Sequence, residues 1–233
     1  MEIQVKNDLA QEQERITTAI TAPAGQPHFT GKQQSASGYV RLLKRPADVL
    51  LAAVLVAGVL SWLTPLLWIV YRLTGSGQLF YTQKRMGYNN RVFSCYKFRT
   101  MRPSRDADLQ QCLANDTRIT PVGRFLRITH IDELPQLVNI LLGDMSFVGP
   151  RPHMLYHDQL FNRLMPGYYS HRHEAVPGLT GLAQASGYHG EVDDYFSIYH
   201  RTRLDLFYVQ HRSFWLDTRI VLQTLINVIK RKK

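Results

Sequence analysis

The longest apolar stretch of the chain runs from Val49 to Tyr71 without a charged residue. Its 23 residues are enough for a helix to cross a bilayer. Basic residues flank the stretch on both sides, at Arg41, Lys44, Arg45 and Arg72. The positive-inside rule therefore assigns it no orientation.

Thr64 and Pro65 lie inside this apolar stretch. Proline removes one backbone hydrogen bond of a helix and clashes with the preceding turn, and nearby hydroxyls such as that of Ser61 can bind the freed carbonyls. A re-entrant helix that bends at Thr64–Pro65 and returns to the same face fits the charges on both sides. A kinked single-pass helix fits them equally well, so residues 41–74 are predicted as a membrane helix of either kind.

The pattern then changes to short aromatic and β-branched runs. Residues 77–85 and 91–100 have strand length and composition, and residues 86–90 (MGYNN) have turn chemistry, which predicts a β-hairpin. Residues 102–117 are polar and predict a loop or a charged helix. The residues before the membrane stretch, 1–40, are rich in Gly, Pro, Ser and Gln and predict a mobile tail rather than a signal peptide.

The remaining pattern is mostly helical. Helices are predicted over 134–142, with Gly143 as C-cap, and over 153–169, 191–210 and 213–233; residues 145–152 predict an extended piece with a rigid turn, and 176–190 a glycine-rich loop. The last helix carries an apolar stripe and ends in basic residues 230–233, which fits either an interfacial helix on anionic lipid or an ordinary packed helix. We therefore expect an α/β fold, mainly helical with a small β-hairpin, in which residues 75–233 form one catalytic domain.

The charge and cysteine content of the chain limit the kinds of partner and metal site that are expected. The formal net charge of +10 predicts an anionic partner: nucleic acid, a phosphorylated substrate or an anionic membrane surface. The two cysteines, Cys95 and Cys112, form no CxxC or Cys/His cluster. Reduced thiols and no zinc site are expected.

Asp132 and Glu133 are adjacent carboxylates in front of Pro135. Thr129 to Asp132 has the spacing of a capping box, and proline is tolerated in a first helical turn, so a helix is predicted to start near Asp132. Acidic residues there are favourable for purely structural reasons. Because neighbouring residues on a helix do not face each other, the pair can also divide labour, one as nucleophile and the other as metal ligand.

Cations surround this acidic pair in the sequence, and arginine suits phosphate because its planar fork binds two oxygens. The candidate phosphate-binding residues are Lys97, Arg99, Arg118, Arg124, Arg127 and Arg151, the last held stiffly before Pro152. Taken singly, each is more typical of a solvated surface charge. Together, beside a membrane segment, they favour phosphoryl transfer at a bilayer surface.

Two other classes fit parts of the pattern. A nucleic-acid-binding module with a membrane tether explains the positive charge and interleaved aromatics, but not the acidic pair or the apolar stretch. A membrane-associated phosphohydrolase would use the same carboxylates and pass the phosphoryl group to water.

Several motifs in order resemble one family over about residues 41–228. They are KRPADVLLA with a later TP, FYTQKRMGYNNRVFSCYKFRTM, DTRITPVGRFLR, IDELPQLVNILLGDMSFVGPRP, PGLTGLAQASG and DLFYVQHRSFWLDTRIVLQT. This series is similar to the bacterial sugar transferases, the monotopic polyprenyl-phosphate phosphoglycosyl transferases, in a minimal form.

The resemblance implies a two-step reaction. A nucleotide diphosphate sugar, UDP-linked by expectation, would give its sugar-1-phosphate to Asp132, and polyprenyl (undecaprenyl) phosphate would then take it to start an exopolysaccharide or related glycan. Glu133 would be the Mg²⁺ ligand. The resemblance further implies a re-entrant helix in the bacterial inner membrane and a catalytic domain with interfacial helices on the cytoplasmic face. It implies no nucleic-acid partner and leaves a homodimer open.

Three positions depart from the family pattern. Thr64 stands where serine often precedes the membrane proline, and Val176 where lysine often precedes PGLTG, which removes a phosphate role there. His153 follows GPRP where glutamate is frequent. This feature resembles the branch of undecaprenyl-phosphate glucose phosphotransferases, so glucose is the favoured sugar; the alternative is that His153 only packs or caps.

Overall fold

The computed structural model describes residues 38–102, 116–188 and 195–230. These residues form a mainly helical structure with a small antiparallel sheet, as predicted. The predictions for the N-terminal tail up to residue 37, for most of the polar segment 102–117, for Cys112 and for the last three basic residues lie outside the described residues.

The apolar stretch forms one long helix, Tyr39–Thr74, the one helix in the described ranges that is long and apolar enough to cross a membrane. It is built from a wide π-type turn over Tyr39–Lys44, helix α1 (Arg45–Leu55), a second wide segment over Val56–Leu60, and helix α2 (Ser61–Thr74).

The irregular segment of this helix lies one turn before the predicted bend. Thr64 and Pro65 are inside α2, whereas the wide turns end at Leu60. The Ser61 hydroxyl donates to the Ala57 carbonyl at 2.6 Å, and the Trp62 indole N–H donates to Gly58 at 2.8 Å. Both acceptors lie one turn before Ser61, whose carbonyl is the one that Pro65 leaves without its helical partner. Binding of that freed carbonyl by a hydroxyl stays a prediction. A bend at Thr64–Pro65 itself stays a prediction.

The predicted hairpin is present. Strand β1 (Phe80–Met86) pairs antiparallel with β2 (Val92–Phe98), and Phe80 lies opposite Phe98. The turn contains a short 3₁₀ helix, Tyr88–Asn90, in which Asn89 and Asn90 have positive φ. Asparagine tolerates this conformation better than most residues, which explains the NN sequence at the turn.

The acidic pair lies between two helices, α3 (Pro121–Ile128) and α4 (Gln136–Leu142), in a 3₁₀ turn over Ile131–Glu133. Helical backbone does begin near Asp132, as expected, but as a 3₁₀ turn; the α-helix α4 begins only at Gln136 and has no side-chain cap bond, so the predicted capping role is wrong. A capping residue needs extended backbone, but Asp132 is inside a helical turn. The Thr129 hydroxyl bonds back to Phe125 instead. Gly143 ends α4 in the left-handed conformation, as predicted.

Two short parallel strands hold the GPRP turn. Strand β3 (Ser146–Val148) pairs with β4 (Gly178–Thr180), so part of the segment predicted as loop is a strand. Just past β3, the Gly149 N–H donates to Thr180 and the Gly178 N–H donates to Pro150. A Cβ on Gly149 would come within 2.3 Å of the Val176 carbonyl oxygen, so only glycine allows this approach.

The other described helices surround these strands. They are α5 (Leu155–Leu164), a 3₁₀ helix (Tyr169–Glu174), α6 (Leu182–Ala185), α7 (Tyr195–His211) and α8 (Phe214–Lys230). The single helix predicted over 153–169 is shorter than expected, because the chain turns at Pro166 and at Gly167, which has φ of +70°. The loop predicted over 176–190 also contains α6.

Polar side chains at the start of the long apolar helix bind it to the rest of the described chain. Buried Asp217 of α8 accepts hydrogen bonds from Tyr39 at 2.8 Å and from Lys44 at 2.5 Å. Buried Asp48 accepts from the Ser146 hydroxyl at 2.7 Å. We call these contacts, with the one described next, the polar collar.

Arg45 completes the polar collar at the end of α4. Its guanidinium donates to the carbonyls of Ile140 at 2.5 Å and Leu141 at 3.1 Å. A cation at the C-terminus of a helix binds carbonyls that have no partner within the helix. The element that follows the acidic pair is thereby fixed to the membrane helix.

One face of the long apolar helix is part of the hydrophobic core. Its Leu63, Leu67 and Tyr71 are buried against Phe98 of β2 and Leu126 of α3. The opposite face is strongly exposed and apolar, at Leu42, Leu43, Leu50, Leu51, Val54, Trp62, Leu66, Trp68, Ile69 and Leu73. A second exposed apolar face follows α8, at Phe214, Trp215, Leu222, Leu225, Ile226 and Ile229.

Replacing Asp217 with alanine should weaken the docking of the membrane helix. Lys44, whose side chain is only 10% exposed, would lose its carboxylate partner. Leaving a buried charge unpaired in this way costs about 3–5 kcal/mol, which lowers the melting temperature measured in detergent. Gln223→Ala on the exposed side of the same helix is the matched control. Adding Lys44→Met to the variant should recover part of the loss; an unchanged melting temperature in Asp217→Ala would contradict this role.

Candidate active site

Glu133 lies at the centre of a three-residue ion bridge. Its Oε1 accepts from Lys97 Nζ at 2.7 Å and from Arg151 Nη2 at 2.8 Å. Lys97 comes from strand β2, Glu133 from the turn before α4, and Arg151 from the GPRP turn. Three elements that are distant in sequence therefore meet at one carboxylate.

Asp132 and Glu133 have opposite electrostatic environments. Burial raises the pKa of Asp132, and the charge of Lys97 opposes this only in part. Burial also acts to raise the pKa of Glu133, but Arg151 and Lys97 more than offset it and hold that pKa well below its usual range. Glu133 is a fixed anion, whereas Asp132 is a buried carboxylate that the fold does not stabilise as an ion.

The turn that carries Asp132 has an unusual entry. His130 adopts the left-handed conformation, with φ of 57°, directly after α3. Glu133 N–H then donates to the His130 carbonyl, and Leu134 N–H to that of Ile131, which gives tight i to i+3 turns. Successive side chains on such turns diverge, so the two carboxylates do not share one proton.

The other predicted cations differ in their environments. Arg127 donates to the Thr100 hydroxyl at 2.9 Å and lowers the pKa of Asp132 through its charge, so it belongs to the same region. Arg118 donates to Asp116, whose pKa it lowers to about 2.

Arg99 and Arg124 have other surroundings. Arg99 contacts Gln78 and the ring of Tyr81, and its backbone carbonyl accepts from the Tyr71 hydroxyl. Arg124 is exposed on α3.

Arg85 is a residue that the sequence did not single out. Its Nη1 donates to the carbonyl of buried Pro152 at 2.7 Å, and its Nη2 donates to Gln83 at 3.2 Å. Burial lowers its pKa, and the charge of Arg151 acts in the same direction. The alternation of β1 puts Arg85 on the same side of the strand as Gln83, but nothing in the sequence indicates that this side faces GPRP.

His153 lies in a buried polar network. Its Nδ1 is 2.6 Å from the Tyr169 hydroxyl and 3.2 Å from Arg172 Nη1. Burial lowers its pKa well below the usual range, and four surrounding arginines add to this effect. His153 is therefore neutral, with one ring nitrogen engaged in the network. A role in choosing the sugar stays a prediction.

The donor atoms fit a Mg²⁺ ion. Hard carboxylate oxygens are its usual protein ligands, and Mg²⁺ commonly uses one or two of them together with substrate phosphates and water. Glu133 Oε2 accepts no hydrogen bond from the described residues, because both cations bind Oε1. Within the described ranges there is no group of three or more His, Cys, Asp or Glu side chains that could hold a metal ion.

The two carboxylates should respond oppositely to amide substitution. Glu133→Gln should lower the free energy of unfolding by about 1–3 kcal/mol, since Lys97 and Arg151 lose their anion. Asp132→Asn should leave it unchanged or raise it by up to about 1 kcal/mol, since a poorly solvated charge is removed. Chemical denaturation in detergent with a chelator measures both.

The same reasoning fixes the pH dependence. The contribution of Glu133 is present above its unfolded pKa and is lost as pH falls through its depressed folded pKa. Ionised Asp132 instead lowers the free energy of unfolding. This loss disappears as the pH falls through the raised folded pKa of Asp132 and its carboxylate becomes protonated. A larger loss of stability in Asp132→Asn than in Glu133→Gln would contradict this assignment.

Comparison with known proteins identifies the family. The bacterial sugar transferase family model matches residues 39–231. The UDP-glucose:undecaprenyl-phosphate glucose-1-phosphate transferase of Escherichia coli (strain K12) is 39% identical over 193 residues, which are 81% of this chain and 40% of that protein. A protein of the same name from Caulobacter vibrioides is 41% identical over 191 residues, 82% of this chain and 71% of that protein.

A shorter relative matches nearly end to end. The exopolysaccharide production protein PSS of Rhizobium leguminosarum bv. phaseoli is 39% identical over 199 residues, 82% of this chain and 98% of that protein. By contrast, the chain spans about 40% of the length of the Escherichia coli relative. The resemblance seen in the sequence motifs is confirmed, and the chain belongs to the bacterial sugar transferase family.

Proposed function

We propose that this protein transfers a sugar-1-phosphate from a nucleotide diphosphate sugar to undecaprenyl phosphate through a covalent intermediate on Asp132. The observation that carries the proposal is the contrast within the acidic pair. Glu133 is bound by two cations, whereas buried Asp132 keeps a carboxylate that accepts no hydrogen bond from the described residues. A nucleophile needs such a free, poorly solvated oxygen.

The first step forms one bond and breaks one. A carboxylate oxygen of Asp132 attacks the sugar-linked phosphorus, and the bond to the bridging oxygen of the diphosphate breaks. That oxygen keeps the electron pair, and the nucleoside monophosphate leaves. In the second step an oxygen of undecaprenyl phosphate attacks the same phosphorus. The bond to Asp132 breaks, which regenerates its carboxylate and gives undecaprenyl diphosphate sugar.

The neighbouring groups provide positioning and charge. Arg151 is 36% exposed, so its guanidinium can bind a phosphate while one nitrogen stays on Glu133. Lys97 and Arg127 lie near enough to lower the pKa of Asp132 and would favour its ionised form beside the phosphate. Mg²⁺ bound at Glu133 would neutralise charge on the diphosphate and the leaving phosphate.

The packing of the membrane helix supports a monotopic arrangement. Lys44 near its start and Tyr71 near its end both contact the same catalytic domain. These residues are 27 positions apart, about 40 Å along a straight helix, which exceeds the bilayer core of about 30 Å. A spanning helix would place them on opposite sides of the membrane. We therefore favour entry and exit on one face, the cytoplasmic one by the family resemblance.

The sugar and the biological product are assigned by the same proposal. The two transferase relatives described above carry UDP-glucose in their names, and the Rhizobium relative carries exopolysaccharide production. We propose glucose-1-phosphate from UDP-glucose as the transferred group and exopolysaccharide initiation as the role.

Trapping the intermediate tests the mechanism. Purified protein with Mg²⁺ and UDP-glucose labelled in the sugar-linked phosphate, without lipid acceptor, should release at most one UMP per active site in a burst and retain the label. Asp132→Asn should retain none and should reduce steady-state UMP release with undecaprenyl phosphate at least about 10³-fold. Asp144→Asn, a carboxylate outside the site, should behave like the wild type.

The products distinguish the rival activity. Labelled undecaprenyl diphosphate glucose means transferase, whereas free glucose-1-phosphate released at the same rate without lipid means phosphohydrolase. Full activity in Asp132→Asn would reject the covalent step. A panel of other UDP-sugars under the same conditions tests the choice of glucose.

A further inference from the structure

The backbone that carries Arg151 is held at three consecutive carbonyls. The Arg151 carbonyl accepts from Arg172 Nη2 at 2.6 Å, and the Pro152 carbonyl accepts from Arg85 Nη1 at 2.7 Å. The His153 carbonyl accepts from the backbone N–H of Met86 at 3.2 Å. Each donor comes from outside the GPRP turn, so the turn is fixed by its surroundings as well as by its prolines.

Arg172 is the most deeply buried of the residues that donate to these carbonyls. The residue is 2% exposed, and its Nε and Nη2 donate to Asp205 of α7 at 3.0 and 2.6 Å. Its Nη1 donates to the Tyr169 hydroxyl at 3.2 Å. Asp205 and Tyr169 thus fix the plane of the guanidinium, and the second N–H of Nη2 is aimed at the Arg151 carbonyl.

Arginine is needed for this geometry. One planar group serves Asp205, Tyr169 and the Arg151 carbonyl at the same time, which the single ammonium of lysine cannot do. A buried ion pair contributes little to stability compared with apolar residues of the same size. The Arg172–Asp205 pair contacts the backbone of the turn that carries Arg151, which indicates that the pair orients this turn.

We propose that Arg172, held by Asp205, is a positioning residue that acts through the Arg151 carbonyl to keep the Arg151 guanidinium on Glu133. The proposal rests on the proposed function. The Arg151 side chain reaches Glu133 at 2.8 Å, and rotation of the Arg151 peptide would displace it. A displacement of about 1 Å in a positioned group can cost about 100-fold in turnover.

A double-mutant cycle tests the proposal. Arg172→Gln should lower kcat for UMP release about 10- to 100-fold with less than about a threefold change in the KM for UDP-glucose. Arg172→Lys should recover part of kcat. In an Arg151→Ala background, Arg172→Gln should have no further effect beyond about twofold, because Arg172 acts through Arg151. Arg203→Gln, an exposed arginine on α7, is the matched control and should keep wild-type kcat.

Asp205→Asn provides an independent variant, since it keeps an acceptor for Arg172 but removes the charge. Asp205→Asn should also lower kcat, and it should cause no further loss of kcat in the Arg151→Ala background. The proposal would be overturned if Arg172→Gln and Asp205→Asn lowered kcat by the same factor with and without Arg151→Ala. It would also be overturned if Arg172→Gln, Arg172→Lys and Asp205→Asn all failed to fold while Arg203→Gln folded. An inactive wild type would instead refute the proposed function, so the two failures are separable.

Discussion

The site depends on one carboxylate that two cations share. Glu133 Oε1 binds both Lys97 and Arg151, and through them it joins the β-hairpin, the turn before α4 and the GPRP turn. Charge pairing at low solvent exposure is strong only when the geometry is held from outside. The packed hairpin provides this for Lys97, and the carbonyl contacts of Arg85 and Arg172 provide it for Arg151. The arrangement of the three elements around Glu133 follows from that one contact.

The two adjacent acids show how one backbone turn produces two chemical environments. Because their side chains diverge, Glu133 lies between cations, while Asp132 points into a buried region with partial compensation only. The fold therefore stabilises the ionised form of one acid and works against that of the other. An unfavourable environment for the ionised form is expected at a reactive group. A carboxylate that the protein already stabilises by hydrogen bonds and charge loses those interactions when it forms a bond.

The sequence predicted those features that depend on a local pattern of residues. Aromatic and β-branched runs on either side of the MGYNN turn predicted the hairpin, and the order of motifs indicated the family. The motifs marked Lys97, Glu133 and Arg151 as candidate site residues, but they did not indicate that one carboxylate would bind both cations. The sequence was misleading at Asp132, since a capping spacing looks the same whether the backbone is extended or already turning. It was silent on Arg85 and Arg172, because their roles depend on which backbone carbonyl lies opposite them. Such contacts between distant segments leave no local pattern.

The polar collar and the buried face of the membrane helix have a consequence for how the protein is handled. Leu63, Leu67 and Tyr71 fill the same core as Phe98 and Leu126, and Arg45 covers the end of α4. A truncated protein that starts after residue 74 would lack one wall of that core and would expose the apolar side chains packed against it. Shortening the chain there would therefore remove part of the folded core rather than a separable helix.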